Sequence, residues 1–335
     1  MTTAAVVGIG DISALHLQAI AETAGVELVA VCDTNGERAE KAATEWGVLA
    51  CTDHQAMLAE ARPEVVHITL PHHLHVPVAL DALAAGSHVL TEKPLSQSVA
   101  SARRLVDAAA TSQKKVGVCF QNRYNPTSVA LHEAVSSGAY GPVLGARASV
   151  WWSRGEAYYA AAPWRGRWAE GGGGVLINQT IHTIDLLCWL LGEPERVTGV
   201  ASNLTHCGVI EVEDTATIVM EHPGGVRSGF FATNNHGTNS SVELEITCEG
   251  GVLSMAGGAV TAVRPDGPST VLAEDVQAQG ERSYWGKSHQ LLIADFYAHL
   301  GDPEPFWIDP GAALVSLEVL RSVYVQSGLV PEGDR

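Results

Sequence analysis

Basic residues are scarce in this chain: 20 lysines and arginines stand against 37 aspartates and glutamates, a net charge of −17. Nucleic acid or an anionic membrane would reward a basic face, so this balance argues against both as partners. Cysteine is sparse as well. The six, at positions 32, 51, 119, 188, 207 and 248, form no C-x-x-C pair and have mostly apolar neighbours. They read as reduced thiols of a cytoplasmic protein, not as a disulfide framework. No apolar run approaches the roughly 20 residues that span a bilayer. The opening MTTAAVVGIG lacks the basic flank and cleavage site of a signal peptide. Internal repeats and low-complexity linkers are missing too. What is there, 335 residues of which 46% are hydrophobic, is ample for a folded protein of two domains.

Ala4 to Ile9 is a short apolar run of the kind a buried parallel strand needs. Gly8-Ile9-Gly10-Asp11-Ile12-Ser13 follows, then a helical pattern through Leu15, Leu17 and Ile20. A second strand, Leu28 to Val31, leads to Asp33. Strand, glycine turn, helix, strand and acid make the dinucleotide fingerprint. Its glycines allow the tight turn and bring a pyrophosphate close to the helix N-terminus, where free N–H groups favour anions. Ser13 replaces the third glycine and is small enough to keep helix against strand. Asp11 is an odd neighbour for phosphates, so its side chain is expected to turn away. Asp33 stands where the ribose-binding acid belongs; a carboxylate there repels a 2′-phosphate, which favours NAD over NADP. The plainer reading of Asp33 is a solvated turn residue.

Short strands and helical patterns alternate as far as Phe120, and ligands of such sheets bind beyond the carboxyl ends of the strands. Those ends carry Pro71-His72-His73-Leu74-His75, Glu92-Lys93-Pro94 and Gln121-Asn122-Arg123. An ammonium at Lys93 could donate to a substrate hydroxyl and stabilise developing alkoxide. The alternative is a solvated surface lysine. His72, His73 and His75 could ligate one ion, but no carboxylate or cysteine accompanies them, and no metal is expected.

Gly171 to Gly192, GGGGVLINQTIHTIDLLCWLLG, combines four glycines with an apolar helical pattern that ends at Gly192. The glycines read as room for another molecule to approach. Asn178, His182 and Asp185 are spaced to share neighbouring turns of one helix. His182 reads as a proton acceptor, since an imidazole titrates near ~6.5. Asp185 is expected to orient a neighbour. Just upstream, Arg154, Tyr158, Tyr159, Trp164, Arg165, Arg167 and Trp168 make an aromatic, arginine-rich loop suited to a sugar. If the substrate is acidic, an arginine there is its carboxylate's partner; neutral and acidic substrates both stay open. Beyond Gly192, six alternating segments predict an antiparallel sheet, one face on the Gly174–Leu191 helix and the other a candidate subunit interface. Tyr284 to His289 precedes a helix to about Leu300, and Pro310 to Ser327 makes the last one.

Together, GIGDIS, Asp33, PHHLH, EKP and the glycine-rich run with His182 resemble the Gfo/Idh/MocA family of NAD(P)-dependent oxidoreductases, over nearly the whole chain. The resemblance implies an α/β Rossmann domain over 1–121. It also implies an α+β domain with an open, mostly antiparallel sheet over 122–335, and a homo-oligomer (dimer or tetramer) built through that sheet. It implies that Lys93 and His182 are the catalytic lysine and histidine, with Asn178 beside them. Cofactor contacts are expected at Gly8, Ile9, Gly10, Asp11, Ile12, Asp33, Leu70, Pro71, His72, His75, Glu92, Lys93, Asn122 and Trp164. Substrate contacts are expected at Lys93, Arg123, Tyr158, Arg165, Asn178 and His182. The reaction implied is hydride transfer between NAD and a carbinol carbon of a sugar, polyol or sugar derivative. Two positions depart from the family: Asn178 stands where many members carry aspartate, and His72 where asparagine is usual. Both changes bear on substrate identity, not reaction class. Two other readings are an NAD-dependent glycosidase of the same fold and a non-catalytic dinucleotide-binding regulator. A pure binder would need neither Lys93 nor His182.

Overall fold

Six short apolar runs build the first sheet of the computed structural model, which describes residues 1–275 and 287–330. They are β1 (Thr2–Val7), β2 (Val26–Cys32), β3 (Leu49–Cys51), β4 (Val65–Ile68), β5 (His88–Glu92) and β6 (Val116–Cys119). Every pair is parallel and the order is β3-β2-β1-β4-β5-β6, the doubly wound arrangement whose ligands bind at the reversal beside β1. The crossovers are α1 (Ser13–Glu22), α2 (Gly36–Trp46), α3 (His54–Ala61), α4 (His72–Ala84) and α5 (Val99–Thr111). Local chemistry sets their ends. Asn35, Asp53 and Ser98 accept a backbone N–H at the N-termini of α2, α3 and α5, and Gly47 closes α2 in the left-handed conformation. Ala4, Val6, Leu17, Ile20 and Val31 form a continuous buried core from β1, β2 and α1.

The chain divides into two units, and the division is not a single cut. Residues 1–121 and 288–314 make the first, residues 122–287 and 315–335 the second. The boundary expected at 121 therefore misassigns α10 (Ser288–Ala298), which packs on α1 and β6. Further on, the Ile308 carbonyl accepts the Val118 N–H of β6 at 2.9 Å. That occupies an edge strand that would otherwise present bare backbone donors.

The second unit holds an eight-stranded sheet: β7 (Val143–Trp151), β8 (Arg196–Ser202), β9 (Thr215–Glu221), β10 (Arg227–Thr233), β11 (Glu243–Cys248), β12 (Gly251–Ala256), β13 (Ala259–Val263) and β14 (Ser269–Glu274). Its order is β14-β13-β12-β11-β7-β10-β9-β8, antiparallel except for the β7–β10 pair. Side chains alternate across it. Ala216, Ile218 and Met220 of β9 are buried, whereas Thr217 and Val219 between them are exposed. Its helices are α6 (Pro126–Ser136), α7 (Glu156–Ala161), α8 (Trp168–Gly171), α9 (Ile181–Leu191) and α11 (Pro310–Gln326), the last beginning in the first unit. Among the described residues no single helix is long and apolar enough to cross a membrane. Of the expected Tyr284–His289 segment, residues 284–286 lie outside the described residues.

Candidate active site

The first unit supplies the dinucleotide half. Gly8 has φ +95°, and a Cβ on it would lie 2.6 Å from the Thr69 carbonyl oxygen, so the tight turn there admits only glycine. Gly10 differs: a Cβ on it would meet nothing within 4 Å. Its missing side chain leaves space open to a ligand, beside the N-terminus of α1, which no side chain caps. Ser13 is buried, and its hydroxyl donates to the Gly10 carbonyl at 2.6 Å. At the end of β2, Asp33 accepts the Ile9 N–H at 2.8 Å and the Asn35 N–H at 2.8 Å. Arg38 also reaches it at 3.1 Å, through a half-exposed guanidinium. These features fit a dinucleotide, and Asp33 fastens the glycine turn to the end of β2.

At the ends of β4 and β5 the sequence signals resolve into two roles. His72 is buried in the first turn of α4. His75 is fully buried, 2.7 Å from the Leu70 carbonyl and 2.8 Å from that of Pro94, so its ring joins the two loops and offers no nitrogen to a cofactor. Burial lowers its pKa. Glu92 is buried as well, its carboxylate engaged by His16 at 3.0 Å, His289 at 3.2 Å and the Lys93 N–H at 3.2 Å. The side chains of His75 and Glu92, both expected to contact cofactor, thus serve the framework. Lys93, joined to Pro94 by a cis bond, is the one residue between Val89 and Ser96 that is not buried. His16, Glu92 and Cys119 bring three potential ligand atoms within 4.8 Å of one another; the His72–His75 segment forms no such group among the described residues.

In the second unit the expected helix is broken. Val175 to Gln179 is a π-type turn, and α9 starts afresh at Ile181 after a bend of 63°. The cause is local. The Thr180 N–H bonds the Val175 carbonyl at 3.0 Å, five residues back. The Thr180 hydroxyl competes for the carbonyls of Val175 and Leu176 at 3.1 and 3.3 Å. Asn178 lies on the turn and His182 on the helix, so the two do not share one regular face. From Gly171 to Cys188 they are the only residues that are not buried.

The glycines before them also correct the expectation. They admit this chain's own atoms. A Cβ on Gly174 would stand 1.9 Å from the Glu213 carbonyl oxygen, one on Gly173 2.2 Å from the Tyr324 hydroxyl, and one on Gly171 2.8 Å from the Trp164 carbonyl oxygen. Glu213, fully buried, accepts the Gly174 and Leu176 N–H groups at 2.8 and 3.0 Å and the Tyr324 hydroxyl at 3.0 Å. Burial raises its pKa to about 7 against the pull of those donors. Sequence alone gave no signal for Glu213 or Tyr324, since they act from the distant loop before β9 and from α11.

Arg123 and Asp185 form a buried bidentate pair at 2.8 and 2.6 Å, one turn of helix from His182. That commits a guanidinium expected to bind substrate. In the aromatic loop, Arg154 and Arg165 lie over the Tyr158 ring at 5.3 and 4.5 Å, and Arg165 also approaches Trp164 at 5.7 Å. The Tyr158 hydroxyl accepts from Gln179 at 2.8 Å, and Gln179 accepts from Asn234 at 3.1 Å. Gln179 thereby ties this loop to the turn that carries Asn178. Asn122 is partly exposed in a 3-10 turn at the start of the second unit.

Residues 2–120 match a family model described as an oxidoreductase family with an NAD-binding Rossmann fold, and residues 128–254 match the GFO/IDH/MocA C-terminal domain. The inositol 2-dehydrogenase of Salmonella typhimurium is 30% identical over 78% of this chain and 76% of its own length. That of Rubrobacter xylanophilus is 34% identical over 75% and 70%. Among solved structures, the WlbA dehydrogenase of Bordetella pertussis, in complex with NADH and UDP-GlcNAcA, superposes with a TM-score of 0.84 at 30% identity. That match covers 97% of this chain and 96% of the other.

Proposed function

We propose that this chain, which belongs to the Gfo/Idh/MocA family of oxidoreductases and carries its NAD-binding Rossmann domain, moves hydride between NAD and a carbinol carbon of a sugar, polyol or sugar derivative. The observation that carries the assignment of residues is one of exposure. Three polar side chains, Lys93, Asn178 and His182, reach the surface from two runs that are otherwise buried, which leaves them accessible to a ligand. Bound NAD supplies the hydride acceptor or donor. Lys93 donates a hydrogen bond to the reacting oxygen and stabilises its developing negative charge. His182 takes the hydroxyl proton on a ring nitrogen during oxidation and returns it during reduction. Asn178, which can donate and accept, orients a neighbouring hydroxyl without adding charge. Asp33 selects NAD over a 2′-phosphorylated cofactor.

The test is a panel of polyols and sugars read at the NADH absorbance, followed by Lys93→Met and His182→Ala on the best substrate. Each variant should lose turnover by ~10²-fold or more while its NAD dissociation constant stays within about twofold. Wild-type turnover in either variant removes that residue from the chemistry.

We further place the protein in the cytoplasm as a homo-oligomer joined through the open face of the second sheet. Val200, Val219 and Val263 are 57%, 45% and 42% exposed on that face, which also carries the Trp151 and Phe231 rings, 4.4 Å apart. A Val219→Asp variant that leaves the sedimentation mass unchanged would speak against that surface.

A further inference from the structure

The aromatic loop before the glycine run holds positive charge that its own acids do not balance. From Trp151 to Trp168, Arg154, Arg165 and Arg167 stand against Glu156 alone, in a chain whose net charge is −17. Other arginines of the second unit take a carboxylate: Arg123 pairs with Asp185, Arg147 with Glu245 and Arg167 with Glu170. Arg154 and Arg165 do not. Arg154 donates to the Ser153 carbonyl at 2.7 Å and to Asn239 Oδ1 at 2.9 Å, both neutral acceptors. Among the described residues Arg165 has neither an ion pair nor a hydrogen bond; it lies over the Tyr158 and Trp164 rings, at 4.5 and 5.7 Å. Glu156, although close in sequence, pairs with neither of them among the described residues.

Both guanidiniums are drawn to one ring. Arg154 and Arg165 lie 5.3 and 4.5 Å from the centre of Tyr158, so two like charges stand within about 10 Å of each other and repel. A ring engages the flat face of a guanidinium and leaves its N–H edge unspent. That edge, on Arg165, is a planar fork of donors that matches two oxygens of one anionic group. The ring is also fixed in place. The Tyr158 hydroxyl accepts from Gln179 at 2.8 Å, Gln179 accepts from Asn234 at 3.1 Å, and Asn178 is the residue before Gln179 on the π-type turn. Arg154 is braced in turn, since Asn239 Oδ1 also accepts the Ser153 N–H at 2.9 Å.

We infer that Arg154 and Arg165 form an anion subsite, and that the substrate is a charged sugar: a sugar or polyol bearing a carboxylate or a phosphate. Two oxygens of that group sit on the Arg165 edge, and Arg154 adds a second positive charge. This rests on the reading of the protein as a sugar or polyol oxidoreductase and names its substrate class. Arg165 is the residue that selects it, and the proton and hydride steps stay as proposed.

The experiment reads binding. Full-length protein saturated with NADH is titrated calorimetrically, at one ionic strength, with D-glucose, D-glucuronate and D-glucose 6-phosphate, and with the same three forms of galactose. In at least one series an anionic form should bind about tenfold or more tightly than the neutral sugar, the size of one hydrogen bond between charged partners. Whether the uronate or the phosphate leads tells the two sources of charge apart. Arg165→Met should erase the preference, whereas Arg167→Met, which removes an exposed arginine already paired with Glu170, should keep it. Neutral sugars binding as tightly as their anionic forms, or equal losses in the two variants, overturn the inference. Should Arg165→Met fail to fold, Arg165→Lys decides: it keeps the charge without the fork and should bind the anion about threefold or more weakly. An unchanged anion affinity in it removes Arg165 from the subsite. Turnover of neutral sugars that depends on Lys93 and His182, with no anion preference, would keep the proposed reaction and end this inference. Anion binding without turnover of any sugar would do the reverse.

Discussion

Val89 to Ser96 and Gly171 to Cys188 are both buried runs that release only a few polar side chains, and they do it by different physics. Around Lys93 the work is electrostatic: one carboxylate is held by imidazoles, a thiol and a peptide N–H. Around Asn178 and His182 it is steric: glycines let Glu213, Tyr324 and a loop carbonyl close in on the backbone. A broken helix then turns Asn178 and His182 outward separately. Hydrogen-bonded charge tolerates small shifts of backbone, whereas contacts at sub-van-der-Waals range for any Cβ do not. The second region should therefore be the brittle one.

Gly174→Ala is the sharpest way to break that contrast. With the Glu213 carbonyl 1.9 Å from the added Cβ, the turn must move, and urea unfolding should show a loss above about 4 kcal/mol. A variant as stable as wild type would mean the run is pliable. Next comes Asp185→Asn, which strands a buried guanidinium; the expected loss is about 3 kcal/mol, with His182-dependent turnover falling as α9 shifts.

Glu213 gives a pH signature of slightly smaller size. Its folded pKa of about 7 lies above the ordinary value of 4.5, so the folded protein holds a proton that the unfolded chain has released. This contribution is full below pH 4.5 and fades as pH rises through 7. Wild type should lose on the order of 2–3 kcal/mol more than Glu213→Gln between pH 5 and pH 8; parallel unfolding curves for the two would refute it. The smallest effect on stability belongs to Gly10→Ala. Its Cβ points into open space, so unfolding should change by less than about 0.5 kcal/mol while NAD affinity, read by fluorescence titration, falls about tenfold. Two glycine-to-alanine changes would then separate a glycine kept for the fold from one kept for a ligand.

What could be read from the sequence was whatever short segments decide alone. Gly8 to Ser13, the acid at the end of β2, the Asp53 cap and the strand alternation all depend on residues within a few positions. The π-type turn was hidden because the Thr180 hydroxyl that causes it is an ordinary feature of many regular helices, and Glu213, which holds the Gly174 and Leu176 N–H groups, lies 39 and 37 residues away. The side chain of Glu92 read as a cofactor contact because its partners are remote, His16 by 76 residues and His289 by 197, and that of His75 because its partners are backbone carbonyls of two loops. Exposed β14 carries no alternation of burial to betray it.

One consequence lies in how the first unit is closed. His289, which completes the donor set around Glu92, and Ile308, which covers the β6 edge, both come from a segment synthesised after the eight-stranded sheet. A fragment ending at residue 121 would carry the whole fingerprint yet expose the Val118 N–H and leave the buried carboxylate short of a donor. The nucleotide-binding half cannot reach its final form until a segment beyond the whole eight-stranded sheet has left the ribosome.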